Sequence, residues 1–400
     1  LLLHIAVLFV LKASYNINSD DIAYVKSGIK LYETGQFCLN NVISAQAMPG
    51  ISVIIAIIVS VFKTEDAMWI AIKLLWIFMS IFAIYNVYRI IKLFANENLA
   101  CIGALFMCTL DFAYTANLAL IEVPLMLSYT VMFYHALKYA KFKKKTDFAI
   151  MMLAYLCGVY LRPEMIAFPL FFALYLLIKK FTLKQTVKHF VIMLLILCVA
   201  IAPWAIRNAR VFNEFIPLTN GAGNPKLLGT YEGIGYPQDF ELDYEKNVMD
   251  KLTESEKQIL KGNDPKNHML KHVSLKLDNI KANYRMGEWL KRSPHTFLFS
   301  YLIFKPVIML CGAYYKVPLF NVPYWSMILL RSIDSLLFIV LGIYLLKKKK
   351  NTAEVYFLGG VYVFTIFLHS IGYAMDRYAQ SMFFFKFIII AIGLYWWYQT

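Results

Sequence analysis

Two adjacent carboxylates are the first chemistry this chain offers. Asp20 and Asp21 end the string Ser14-Tyr15-Asn16-Ile17-Asn18-Ser19-Asp20-Asp21, just after an apolar run from Leu1 to Leu11, and open an amphipathic stretch that ends at Gly35. Like charges at a membrane surface repel and lose solvation unless a metal, an incoming hydroxyl or a basic side chain offsets the cost. The plainer reading is a helix N-terminus, capped by Ser19 or Asp20, where acid favours the dipole. The two readings are compatible.

Other candidates come from distant parts of the chain. Glu122 stands in Ile121-Glu122-Val123-Pro124, and Arg162 and Glu164 flank Pro163. Arg207 and Arg210 follow Pro203-Trp204, and His369, Asp376 and Arg377 lie near the end. Arginine's planar fork suits a phosphate. A carboxylate takes a proton or holds a divalent metal, and Asp20 and Glu122 are the candidates for a metal. An unpaired charge near hydrocarbon costs about 3 kcal/mol, so these groups are expected to pair. Each has a plain alternative. Glu122 suits a helix N-terminus, Arg162 can snorkel to headgroups, Arg207 and Arg210 can anchor at an interface, and His369 can serve as a hydrogen-bonded interfacial residue.

The elements that must position these groups are membrane helices. Of the 400 residues, 60% are hydrophobic and only 16% charged, which excludes an ordinary soluble domain. The net charge of +15 sits largely in short lysine runs around Lys143, Lys180 and Lys348. Such runs mark cytoplasmic loops, so topology explains the charge and no nucleic-acid partner is expected. The six cysteines show no CxxC spacing and read as small core residues. A Leu at position 1 and a short first apolar run read as a trimmed N-terminus.

Candidate spans fall at 1–13, 67–93, 99–115, 123–139, 148–161, 165–178, 190–204, 326–346, 355–368 and 382–397. With the lysine runs inside, Asp20, Glu122, Arg162, Arg207 and Arg377 all fall on the external side. This requires that 51–62 and 297–311, each beside a proline (Pro49, Pro306), lie along the membrane rather than cross it. The expectation is an all-α polytopic membrane protein of about ten spans. Its parts are an N-terminal transmembrane module (1–204) with a catalytic first external loop (14–48), an external segment (205–294), and a C-terminal part (295–400) of one juxtamembrane helix and further spans. In the external segment, 221–225 and 233–237 read as turns, 252–260 and 270–289 as amphipathic helices, and Arg285 and Lys291 as solvated surface.

The string Ser19-Asp20-Asp21-Ile22-Ala23-Tyr24, with Gly35-Gln36-Phe37 and Met48-Pro49-Gly50 downstream, resembles the first external loop of GT-C fold glycosyltransferases. It is similar in particular to the family 39-like group, which includes protein O-mannosyltransferases and the lipid A aminoarabinose transferase. Glu122, the stretch Pro203-Trp204-Ala205-Ile206-Arg207-Asn208, and His369 with Arg377-Tyr378 fit the same pattern. Asp21 stands where Glu is usual, and Pro49 is single where many relatives have two. The resemblance implies a GT-C-like bundle in a bacterial plasma membrane, with its active site outside. It implies transfer of a sugar from a polyprenyl-phosphate carrier to an external acceptor (lipid, cell-wall glycan or protein), with inversion. Asp20, Asp21 and Glu122 would be catalytic, and Arg162, Arg377 and Arg207 would hold the donor phosphate. Tyr24, Glu164 and His369 would complete the site. The competing classes are a transporter or lipid flippase, and a lipid-linked polysaccharide polymerase or ligase.

Overall fold

The computed structural model describes residues 1–262 and 264–399. Nearly all regular structure is helical. Among the described residues, five helices are long and apolar enough to cross a membrane: Glu65–Lys92, Leu183–Phe212, Pro294–Cys311, Tyr324–Lys347 and Thr352–Ile371. Shorter apolar helices, Leu2–Leu11, Gly50–Val61, Pro163–Ile178 and Phe384–Tyr398, stand beside them. The chain is an integral membrane protein of several spans.

One helix marks the centre. Residues 384–393 of Phe384–Tyr398 are all buried, so this part of the helix, apolar apart from Lys386, is covered on every side. It packs against Glu65–Lys92, Glu97–Leu105, Tyr324–Lys347 and Thr352–Ile371. Phe133 plugs into this centre, with ring centroids 4.9 Å from Phe385, 5.0 Å from Phe357 and 5.5 Å from Phe168.

Helix lengths sort the two ends of the bundle. Glu122–Phe142 has 21 residues, so Glu122 and Lys143 stand about 30 Å apart. The chain then returns along Lys145–Leu161 to Arg162 and descends again along Phe168–Ile178 to Lys179. Lys179 pairs with Glu354 at 3.1 Å, which joins the lysine runs at 179–180 and 347–350 at one end. The helix that starts beside Glu354 carries His369 to the other end.

Several elements differ from the sequence expectation. The apolar stretch 99–115 is not one span but two short helices, Glu97–Leu105 and Leu110–Thr115. Thr109 is extended between them, and its hydroxyl donates to Asp111 at 2.5 Å. Stretch 297–311 is continuous with 294–299 through a π-helical turn, Ser300–Phe304, and together they reach span length. The turn lies just before Pro306, whose missing N–H breaks the regular ladder. Helix Leu183–Phe212 runs on past Trp204, across the expected boundary at 205. Residues expected as a turn at 221–225 instead begin a short helix, Gly223–Gly229. Four cysteines, Cys101, Cys108, Cys157 and Cys198, are exposed rather than core. A two-stranded hairpin, Cys38–Leu39 with Val42–Ile43, turns through Asn40 and Asn41, both at positive φ.

Arg285 is the clearest reversal. It is fully buried, not solvated, and ties residues 230–244 to helix His268–Arg292. Its guanidinium donates to Thr230 Oγ1 at 2.7 Å, Tyr244 Oη at 2.7 Å, Pro237 O at 2.8 Å, and Asp239. A guanidinium removed from water needs its donors matched, and here they are.

Candidate active site

Helix Asp20–Thr34 begins at the acidic pair, and the two carboxylates take different roles there. Asp21 turns inward and is fully buried. Its Oδ2 accepts the Ile17 N–H at 2.7 Å, and its Oδ1 accepts the N–H groups of Ser19 at 3.2 Å and Ile22 at 2.8 Å. Asp21 therefore shapes the loop. Lys73 clasps the same loop from the long helix Glu65–Lys92, with its ammonium donating to Tyr15 O at 2.7 Å. Asp20 points the other way, with its side chain 48% exposed.

Asp20 meets Arg377, which opens the short helix Asp376–Gln380. Arg377 Nη2 donates to Asp20 Oδ2 at 2.5 Å. Arg377 Nε lies 3.1 Å from Glu122 Oε1, at ion-pair distance. Arg162 Nη2 donates to the same Glu122 oxygen at 2.8 Å. Arg162 Nη1 lies 3.9 Å from Glu164, and His369 Nε2 lies 3.1 Å from the other Glu164 oxygen. The chain of charges thus runs Asp20, Arg377, Glu122, Arg162, Glu164, His369. Tyr378 lies beneath both arginines, its ring centroid 4.5 Å from Arg162 and 5.4 Å from Arg377.

Local structure explains each placement. Glu122 is the first residue of its helix, where the dipole favours a carboxylate. Pro163 ends helix Lys145–Leu161 and starts a 3-10 turn, leaving Arg162 extended between them. Tyr24 lies one helical turn beyond Asp20. Burial raises its phenol above the ordinary range, the charge of Asp20 adds to this and that of Arg377 opposes it. It stays a hydroxyl donor beside the network. Burial also raises the Asp376 carboxyl, against the charge of Lys316.

The network has unspent bonding capacity. Among the described residues, Glu122 Oε2, Arg162 Nη1 and Arg377 Nε are buried without an aligned hydrogen-bond partner. Buried polar atoms are rarely left so; Arg377 Nε has Glu122 at ion-pair distance, whereas Arg162 Nη1 has only Glu164, 3.9 Å away, and suits an anion. A divalent metal fits less well. Asp20 and Glu122 share Arg377 between them, and among the described residues no three His, Cys, Asp or Glu side chains gather closely enough to hold a metal ion. As arranged, these carboxylates hold a guanidinium.

The sequence candidates divide accordingly. Asp20, Glu122, Arg162, Glu164, His369 and Arg377 form one network, with Tyr24 beside it. Arg207 is not brought to it. Its guanidinium donates to Ser44 O at 2.7 Å and Phe37 O at 3.1 Å, which fastens the hairpin to the end of helix Leu183–Phe212. Sequence reasoning passed over a second buried cluster inside the apolar helices. There Arg331 reaches Asp334 at 2.7 Å and Asp111 at 3.0 Å, with Lys386 close by on Ser335 at 3.2 Å. The i, i+3 spacing of Arg331 and Asp334 inside an apolar run was the available signal.

No curated protein sequence matches the chain. The chain is similar to two crystal structures of ArnT from Cupriavidus metallidurans, each at 12% identity and covering 98% of this chain. One, bound to undecaprenyl phosphate, gives a TM-score of 0.46 over 77% of that protein; the other, in the apo state, gives 0.44 over 76%. Residues 46–206 match the profile of the dolichyl-phosphate-mannose-protein mannosyltransferase family. That segment contains Glu122, Arg162 and Glu164, so half of the charge network lies inside it. Over that segment, about two fifths of its length, the chain is similar to this family.

Proposed function

We propose that the chain transfers a sugar from a polyprenyl phosphate to an acceptor hydroxyl on the outer face of the membrane, with inversion. The observation that carries this reading is the bridge Asp20–Arg377–Glu122–Arg162, which sets a half-exposed carboxylate beside two arginines. Asp20 spends Oδ2 on Arg377, and its Oδ1 accepts no hydrogen bond from the described residues. That oxygen takes the acceptor proton. The acceptor oxygen then bonds to the anomeric carbon as the bond from that carbon to the phosphate oxygen breaks. The phosphate leaves with the electron pair. Arg162 Nη1, which has no aligned acceptor, and the positive charge of the Arg377 guanidinium stabilise the charge that grows on it. Glu122 holds both guanidinium groups by one oxygen, and Glu164 with His369 backs Arg162 from behind. A single displacement of this kind inverts the anomeric centre. The lysine runs at the opposite end of the bundle support an outer location for the site.

The test is turnover. The purified protein is given a panel of polyprenyl-phosphate sugars, released polyprenyl phosphate is measured, and the anomeric configuration of the product is read by NMR. Release with inversion is expected for at least one sugar. A protein that releases none, yet moves polyprenyl phosphate across a vesicle membrane, would be a transporter.

A further inference from the structure

Arg377 sits on a helix of only five residues, Asp376–Gln380. So short a helix does not hold itself, because its few internal hydrogen bonds do not offset the cost of nucleation. Its flanks must fix Arg377 between Asp20 and Glu122. At the far end, Thr115 Oγ1 donates to Gln380 Oε1 at 2.5 Å. At the near end, the link 372–375 joins Thr352–Ile371, the helix that carries His369, to Asp376.

That link is held by an ammonium outside the charge network. Lys305 lies in helix Pro294–Cys311 and is fully buried. Its Nζ donates to Gly229 O at 2.6 Å and to Gly372 O at 3.1 Å. Glu232 Oε2 stands 4.0 Å from the same Nζ, and the centre of the Tyr301 ring lies 3.8 Å away. Glu232 completes the hold, since this oxygen accepts the Ala374 N–H at 2.8 Å. At the end of the same helix, a Cβ on Gly312 would come within 2.8 Å of the Asp376 Cβ, so the helix backs the link at a second point. A buried ammonium needs its donors matched, and a lysine inside an apolar helix marks a function by default.

The same contacts bring in the segment after Leu183–Phe212. Gly229 meets the link so closely that a Cβ there would lie 2.2 Å from Gly372 O. Thr230 Oγ1 accepts from Arg285, and the Ile234 N–H donates to Ser300 Oγ at 3.1 Å. Residues 229–234 are thus a strap, fastened by Arg285 on one side and by Ser300 and Lys305 on the other, that lies against the link before Arg377.

We propose that Lys305 and Glu232 are positioning residues for the transfer, which fix the link through Gly372 and Ala374 and so hold the Arg377 guanidinium between Asp20 and Glu122. The inference rests on the transfer reading above, and it adds that the strap sets the geometry of the site without touching a reacting atom. Both residues act through Arg377, so their loss lowers kcat, while donor KM, which Arg162 governs, stays in place.

The experiment compares Lys305→Met, Glu232→Leu and Glu232→Gln in the full chain in nanodiscs. Hydrogen exchange reads the link directly. Lys305→Met and Glu232→Leu should speed exchange at 372–378 by at least about tenfold, whereas Glu232→Gln, whose amide oxygen still accepts the Ala374 N–H, should stay close to the wild type. Turnover of a polyprenyl-phosphate sugar reads the role. The first two variants should lose at least about tenfold in kcat with donor KM unchanged, and Glu232→Gln should restore most of it. In an Arg377→Lys background, Lys305→Met should cost little more, because changes that act through one group do not add. Thermal unfolding reports whether each variant is folded, and the two Glu232 variants carry both readouts if Lys305→Met is not. Wild-type exchange at 372–378 in folded Lys305→Met and Glu232→Leu proteins would overturn the proposal. Faster exchange with full turnover, or losses that add in the double variant, would overturn the positioning role. A wild type that turns over no lipid-phosphate sugar would overturn the transfer reading and the positioning role with it, while exchange alone still decides whether Lys305 and Glu232 hold the link.

Discussion

Arg377 holds Asp20 at 2.5 Å although 357 residues of chain separate them. The same guanidinium reaches Glu122 at 3.1 Å, and Glu122 is only 2% exposed. One planar group thus joins an open carboxylate to a buried one. Lysine cannot span both partners, because it offers a point charge in place of a fork. Arg377→Lys should keep the charge balance and most of the thermal stability, with turnover down at least about a hundredfold. Arg377→Met should do more harm. It strands buried Glu122 with Arg162 alone, and breaking a buried pair typically costs about 3–5 kcal/mol. Thermal unfolding and turnover measured side by side separate the two effects. An Arg377→Lys protein with full turnover would remove the bridge from the mechanism.

The acidic pair makes a second contrast. Asp20 faces outward and Asp21 staples the loop through three backbone N–H groups. Asp20→Asn should fold normally and lose turnover by at least about a hundredfold, since an amide takes no proton. Asp21→Asn keeps one acceptor oxygen and loses charge-assisted bonds, so it should cost stability, on the order of 1–3 kcal/mol. Its turnover should recover in part at lower temperature. Equal behaviour of the two variants would mean that orientation in the loop does not divide their roles.

Much of this site was legible in the sequence because membrane helices leave few places for charge. Asp20, Glu122, Arg162 and Arg377 stood out against apolar flanks, and the lysine runs assigned them to one end. What pairs with what was not legible, since Arg377 and Asp20 meet only through the packing of the central helices. Arg207 looked equivalent to Arg162 by composition, yet the carbonyls of Phe37 and Ser44 claim it. Those carbonyls belong to a hairpin whose strands are too short for any alternation to register; only Asn40-Asn41 announced it. Buried Arg331, Asp334 and Lys386 were hidden by the high hydropathy of their own helices. Arg285 misled for the opposite reason, because a polar neighbourhood made a buried anchor read as surface.

The helix Gly50–Val61 bears on topology. Its 12 residues span about 18 Å, short of a bilayer's hydrocarbon core. It packs on Asp20–Thr34 with Ser52 donating to Ser27 at 2.9 Å, at the end of the bundle that carries the site. Single cysteines placed at Asn40, Thr64 and Lys144 in a cysteine-free background should therefore divide two to one. The first two should react with an impermeant reagent added to intact cells, and the third should not. Protection at Thr64 with reaction at Asn40 would mean that Gly50–Val61 crosses the membrane.

Acid should loosen the packing around Arg285 at Asp239. Burial raises this carboxyl, but hydrogen bonds from Tyr244 and Tyr231 and the charge of Arg285 more than reverse that, leaving it below the ordinary range. A lowered folded-state value means stabilisation that is complete above the unfolded value of about 3.9 and disappears as pH falls through the folded one. The side chain is 58% exposed, so solvent screens the pair and the effect is modest. The unfolding midpoint of the wild type should fall below about pH 4. Asp239→Asn should start lower at neutral pH and change less with acid. Parallel curves for the two proteins would place the acid sensitivity elsewhere.

The strongest test of the donor site is Arg162→Lys. Arg162 Nη2 is committed to Glu122 at 2.8 Å, while Nη1 stands 3.9 Å from Glu164 without an aligned partner. One guanidinium can therefore keep its structural bond and still donate to a phosphate oxygen. A lysine ammonium lacks the fork and sits on a shorter side chain, so it cannot keep the Glu122 bond and also reach an oxygen on the Nη1 side. Burial beside Glu122 favours the structural choice. Arg162→Lys should then fold, keep its response to acceptor, and lose donor affinity. The loss of one charge-assisted hydrogen bond is worth about 1.5–3 kcal/mol, or roughly a 10- to 150-fold rise in donor KM. If Arg162 only anchors at the interface, lysine serves as well and donor KM does not move. Titrating a polyprenyl-phosphate sugar against both proteins at saturating acceptor distinguishes these outcomes. An unchanged KM would leave the phosphate to Arg377 alone.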